Sequence, residues 1–177
     1  MRRLLDILYG AAGFLAAFSV FAIFVVMIGQ TVLRELGART GGSDDLVAWF
    51  CAASAFLALA HTFRQGDFVR VVLLIERLPP RGRRAGELAS LSAAALFCGY
   101  LAFWVCRFVY ESWVFGEMAN GLIAIPLWIP QSSFVAGAVL LFVAVLDELV
   151  SVLRGGTPAY VAAAEERHRR GDYSEDV

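Results

Sequence analysis

Four stretches of this chain carry no Asp, Glu, Lys or Arg: 7–33, 46–63, 88–106 and 118–146. Their lengths are 27, 18, 19 and 29 residues, so 93 of the 177 residues lie in four blocks without formal charge. A bilayer's hydrocarbon core is about 30 Å thick and takes about 17–25 helical residues to cross. Each block is long enough. A helix in a soluble bundle keeps a polar face, and none of these blocks supplies one. The hydrophobic share, 59%, also exceeds the roughly 45–50% of soluble domains. The blocks therefore predict an all-α, polytopic membrane protein with four transmembrane helices, and exclude a soluble enzyme or a secreted disulfide scaffold.

Punctuation between the blocks sets the boundaries. Spans are expected over about 7–33, 46–63, 88–113 and 130–153. The third is extended past its uncharged block because Arg107 and Glu111 form an i,i+4 pair. Ser43, Asp44 and Asp45 can cap the second helix. The first block is too long for the roughly 7–15-residue apolar region of a cleaved signal, so it reads as an uncleaved anchor. Residues 1–154 form one membrane domain in this reading, and 155–177 a polar tail. In the tail, Gly155-Gly156 breaks the fourth helix, and Thr157-Pro158 can start a short one reaching about Arg170.

All fifteen basic residues are Arg, and they are unevenly placed. With both termini inside, twelve fall on the inner face; only Arg34, Arg39 and Arg107 fall outside. Excess positive charge marks the cytoplasmic side, so both termini are expected in the cytoplasm.

The apolar blocks hold little chemistry. Cys51, Cys98 and Cys106 lack metal or redox spacing and read as small packing residues. Besides the cysteines, His61 is the one candidate for acid–base chemistry there, and it reads as an interfacial or packing residue making one hydrogen bond. A bis-histidine haem would need a second intramembrane His, and His168 is in the tail. Proton-coupled transporters bury an acidic residue in mid-membrane, and these blocks carry none. Ser19, Gln30, Ser54, Ser90, Ser92, Asn120 and Gln131 are too scattered for an ion pathway. No catalytic residue, cofactor or metal site and no nucleic-acid partner is expected.

Two segments say more. Residues 68–78 (FVRVVLLIERL) would make only about 16 Å of helix, too short to span. Arg70 and Arg77, seven apart, share a helical face, which predicts a short amphipathic helix on the cytoplasmic membrane surface, ended by Pro79-Pro80. Arg64, Arg70 and Arg77 are its candidate membrane anchors, with lipid headgroups as partners. The second segment is Ile125-Pro126-Leu127-Trp128-Ile129-Pro130-Gln131. Two prolines disfavour one continuous helix through the 29-residue block, whereas Pro130 suits a helix's first turn. The fourth span is expected to start near Pro130, with 120–129 irregular and Trp128 at the interface.

These motifs, in this order, resemble the small membrane (Q) subunit of tripartite ATP-independent periplasmic (TRAP) transporters. The resemblance covers about residues 1–155. It rests on Asp44-Asp45 followed by Trp49, and on Arg64 followed by Gly66-Asp67-Phe68-Val69-Arg70-Val71. It continues through Glu76-Arg77-Leu78-Pro79 and the Ile125–Gln131 motif. Phe68 stands where the family usually has His, and Val72 where Asp is common, so roles of those side chains do not carry over. The resemblance implies a bacterial inner-membrane complex. A periplasmic protein would deliver an organic anion, often a carboxylate. A large permease subunit would move it with sodium, and this chain would pack against that subunit and help form the docking platform. Trp49, Pro126, Trp128 and Pro130 are the candidate contact residues.

Two other classes compete. Transport by this chain alone would mark a stand-alone transporter or channel, and a haem absorbance band would mark the membrane anchor of a redox complex. The orientation has its own test. In a cysteine-free background, a cysteine at Gly41 should react with an impermeant reagent from outside and one at Gly82 should not. The opposite pattern would reverse the topology.

Overall fold

The computed structural model describes residues 2–37, 41–65, 80–119 and 123–154. They contain four α-helices: α1 (Arg2–Glu35), α2 (Ser43–Gln65), α3 (Pro80–Val114) and α4 (Trp128–Leu153). All four are long and apolar enough to cross a membrane, so the chain has an all-α, polytopic architecture. The expected surface helix over 68–78, with Arg70 and Arg77, lies outside the described residues, as does the tail 155–177.

The helices outrun the uncharged blocks. α1 covers Arg2–Glu35 rather than 7–33, and α2 runs on through Arg64 to Gln65. Absence of charge marks what hydrocarbon tolerates, whereas helical hydrogen bonding continues into the headgroups. Arg, Glu and Gln are good helix formers there. The largest difference is in α3. Pro79-Pro80 reads in the sequence as the stop of a preceding helix, but Pro80 is the first residue of α3. Proline suits that position because the first N–H of a helix has no intrahelical partner. Ser43, Asp44 and Asp45 form the first turn of α2 rather than a cap outside it. The acidic pair there complements the positive end of the helix dipole.

α4 starts at Trp128, two residues before the expected Pro130. No side chain caps it. Its first N–H groups are dealt with locally. Ile129 N donates to Pro126 O at 3.2 Å and Gln131 N to Leu127 O at 3.2 Å, and Pro130 has no N–H to satisfy. The break before α4 is real: residues 123–127 are not helical.

α1 packs on α2, α2 on α4, and α4 on α3. The order across the bundle is therefore α1–α2–α4–α3, with α1 and α3 on the flanks. A third of the α4 span is buried, 33% against 11–17% in the others, which makes α4 the hub. Its inward row is Gly137, Ala138, Leu141, Ala144, Val145, Glu148 and Val152. Leu141, Ala144 and Val145 of this row cluster with Tyr9 of α1, Ala60 of α2, and Ala95 and Cys98 of α3. Ala12 and Ala16 pack on Leu57 in a second cluster.

The core is built from small residues, as membrane helix contacts are, because lipid gives no hydrophobic drive and packing must come from close approach. Three glycines mark the contacts. A Cβ at Gly13 would lie 2.9 Å from the His61 ring, and one at Gly99 2.9 Å from the Phe142 ring. At Gly137 a Cβ would run into the carbonyl of Phe56. The first two obstacles are side chains that can turn; the third is backbone. Gly137→Leu should therefore force α2 and α4 apart and cost about 3 kcal/mol in a detergent unfolding titration. Gly29→Leu, where the added side chain meets open space, should stay within about 0.5 kcal/mol. Equal effects at the two sites would refute the contact.

Candidate functional site

α2 and α4 run parallel. Phe56 stacks on Phe134, with ring centroids 5.2 Å apart, and its backbone meets Gly137. About two turns earlier in each helix come Trp49 and Leu127. This places Trp49, half-buried, at the level of the segment holding Pro126, Trp128 and Pro130. Four of the seven residues singled out in the sequence thus share one end of the bundle. Arg64 belongs to the last turn of α2 at the opposite end, and Arg70 and Arg77 lie outside the described residues.

The shared end is organised by a small hairpin that the sequence did not disclose. After α3 the chain turns at Gly116, whose φ is +62°. Glu117 N donates to Ser112 O at 3.0 Å, and Ser112 Oγ, fully buried, donates to Glu117 Oε2 at 2.8 Å. Met118 and Pro126 then face each other in an antiparallel bridge. The flanking bonds are Ala119 N to Ile125 O and Leu127 N to Glu117 O, both 2.9 Å. Pro126 therefore stands opposite Met118 where the pairing asks for no N–H, the place that proline tolerates in an extended pair. Its role is to stop helix while allowing the hairpin to close.

The other connection at this end packs against it. Gly42 has φ +83°, and a Cβ there would lie 2.6 Å from Ile123 Cγ1. Gln30 Nε2 donates to Asp44 Oδ1 at 3.4 Å, joining the end of α1 to the start of α2. Gln131 is buried just below the hairpin, and its Oε1 has no hydrogen-bond partner. Trp128 is 39% exposed and Ile129 45%, so this end presents an apolar, aromatic edge outward.

Within the spans the polar side chains are spent locally. Ser19, Thr31, Ser54, Ser90, Ser132 and Ser133 each donate to a carbonyl three or four residues earlier in their own helix. Hydroxyls in hydrocarbon satisfy their donor this way. His61 Nδ1–H donates to Tyr9 O at 3.2 Å, joining α1 to α2. This is the packing role expected of it. Cys98 is in the core, but Cys51 and Cys106 face outward, so the packing role expected of all three holds only for Cys98. Among the described residues no three His, Cys, Asp or Glu side chains gather as a metal-binding set. At the opposite end a shallow groove of about 450 Å³ lies between α1 and α4. Leu5, Leu146 and Val150 wall it, and Asp147 and Arg154 stand at its edge.

The outward faces of the flanking helices are large and apolar. α1 exposes Phe14, Phe18, Phe21, Val25, Ile28 and Val32 along one side. α3 exposes Phe97, Tyr100, Phe103, Trp104, Phe108 and Trp113. The sequence extended the third span over Arg107 and Glu111 as an i,i+4 pair, and both are helical. Arg107 Nε donates to Glu111 Oε1 at 2.8 Å, and its guanidinium lies over the Trp104 ring at 5.4 Å. The signal was present in the i, i+4, i+7 and i+11 spacing of Tyr100, Trp104, Arg107 and Glu111.

This architecture has helices long enough to span, six hydroxyls bonded within their own helices, a connected aromatic end and broad apolar flanks. It fits a multi-pass membrane protein. No curated protein matches the chain. A family model does: the DctQ component of tripartite ATP-independent periplasmic transporters matches residues 23–155. That range takes in the last 13 of the 34 residues of α1 and all of α2, α3 and α4. The chain belongs to the DctQ family, the small permease component of the three-part TRAP transporters.

Proposed function

We propose that the chain is the scaffold subunit of a TRAP-type secondary transporter in a bacterial inner membrane, with both termini in the cytoplasm. A large permease subunit packs stably against it and carries the substrate and ion sites. A periplasmic protein delivers an organic anion, of the carboxylate kind, and docks transiently on the outer face. The observation that carries this reading is the pairing of broad exposed apolar flanks with six membrane-embedded hydroxyls that turn back on their own helices. Such a chain has surface to give to a partner and no polar route of its own. In this reading it performs no catalysis.

The roles of the named residues follow. Arg64, Arg70 and Arg77 set the subunit's depth by holding it at the cytoplasmic headgroups, where each basic residue near an anionic surface contributes about 1 kcal/mol. Trp49, Pro126, Trp128 and Pro130 form the outer, partner-facing end. The hairpin supports this assignment, because it fixes Trp128 and Ile129 as a preformed exposed edge.

The test is anion uptake into proteoliposomes holding the large subunit with and without this chain, with the binding protein supplied outside. Uptake should require both membrane subunits, and this chain alone should give none. Unaided transport by this chain, or full transport by the large subunit without it, would overturn the proposal. Pro126→Ala with Pro130→Ala should let helix invade the 123–127 segment and dissolve the hairpin. Uptake should fall about tenfold, equivalent to about 1.4 kcal/mol of lost coupling, while membrane insertion stays at the wild-type level. Unchanged uptake would remove the hairpin from the working surface.

A further inference from the structure

The groove between α1 and α4 opens away from the core. On α4 it is lined by Val143, Asp147, Val150 and Arg154. Their spacing is i, i+4, i+7 and i+11, so they form one stripe. The buried row Leu141, Val145, Glu148 and Val152 has the same spacing, two positions earlier. Two positions turn a helix through about 200° at 3.6 residues per turn. The groove stripe therefore lies on the side of α4 opposite the core, and Val150 on it is 41% exposed. Leu146 and the half-buried Leu5 of α1 complete the walls.

The groove is one leaflet deep. Val143 and Arg154 are eleven positions apart, about 16 Å along the axis. Half of a hydrocarbon core of about 30 Å is about 15 Å. Arg154 directly follows the last residue of α4 and so stands at the headgroup level. The mouth offers donors. Among the described residues neither the Arg154 guanidinium nor Ser151 Oγ, one turn deeper, has a hydrogen-bond or ion-pair partner. In this Ser151 differs from the six hydroxyls that bond within their own helices. Asp147, two turns deeper than Arg154, has a partner of its own. Across the groove α1 begins Arg2-Arg3, within one turn of Leu5, and no acidic residue lies in its first turn. The positive end of its dipole adds to that charge.

An apolar slot one leaflet deep, with cationic donors at its mouth, matches an acyl chain below a phosphate. Basic pockets between membrane helices take lipid headgroups on the same grounds. The chain's own tail is a poorer match, because its apolar run 159–164 would make only about 9 Å of helix before Glu165. We propose that the groove between α1 and α4 seats one phospholipid with an anionic headgroup. An acyl chain lies along Leu146, Val143 and Leu5, and the phosphate is held by Arg154 and Ser151. The site is built from this chain alone, so it stands or falls separately from the scaffold reading.

The test is native mass spectrometry of the full chain, stripped of lipid in detergent and titrated with phosphatidylglycerol. The wild-type chain should retain one lipid. Arg154→Glu removes the headgroup donor and Val150→Trp fills the slot without touching charge; each should weaken retention at least about tenfold. Arg34→Glu makes the same charge change at the other end of α1 and should leave retention unchanged. Equal loss in Arg34→Glu and Arg154→Glu would mean adventitious surface lipid only and would overturn the proposal. Loss in Arg154→Glu but not in Val150→Trp, or the reverse, overturns it too, since the site needs both the charge and the slot. A photo-crosslinker at Val150 gives an independent reading in membranes, where folding is not in question. It should capture lipid, and capture of the 155–177 tail or of another protein instead would refute the assignment.

Discussion

The approach of α4 to α2 at Gly137 is the contact on which the other packing depends. With no side chain there, the α4 backbone comes directly against the Phe56 carbonyl. That closeness sets the rest of the parallel pair in register, including the Phe56–Phe134 stack. α1 then adds to the free side of α2 through Gly13 and His61, and α3 to α4 through Gly99 and Phe142. The bundle is thus an α2–α4 pair with one helix added on each flank. Lipid tails are as apolar as leucine, so such a bundle draws its stability from close fit more than from hydrophobic burial. Its core accordingly holds Ala12, Ala16, Ala60, Ala95, Ala138 and Ala144, while the phenylalanines of α1 remain outside.

That economy has a functional consequence. A four-helix chain that buries so little of each span leaves most of its apolar area for others to cover. Its polar groups are arranged for the same end. Hydroxyls turn back on their own helices, His61 joins α1 to α2, and Ser112 with Glu117 anchors the hairpin. The bridge between α3 and α4 is non-helical backbone at one end of the bundle, and its hydrogen bonds are internal. This is what a bilayer demands of irregular structure at depth.

The fold was legible in the sequence because charge is nearly prohibited in hydrocarbon, so four uncharged blocks announce four spans. The two prolines before α4 likewise placed its start to within two residues, since their effect on the backbone is local. Helix ends were less legible, as Pro80 shows, because a proline that ends one helix is equally fit to begin another. The hairpin and the order α1–α2–α4–α3 could not be read, because they depend on which faces meet across long sequence separations. The glycines at positions 13, 99 and 137 look like Gly10 or Gly29 until the neighbouring helix is seen. Of the candidate residues, the prolines and tryptophans announced themselves by type. Arg107 and Glu111 were legible as a helical pair because their i,i+4 spacing is local.

The central claim is that this chain is half of a surface that a larger membrane protein completes. Native mass spectrometry of the protein extracted gently from its own membrane tests it most directly. The account predicts a complex holding one 19.3 kDa chain bound to one larger multi-spanning subunit, and separating only under conditions that unfold it. Recovery of the chain solely as a monomer, or as a homo-oligomer at multiples of its own mass, would contradict the account.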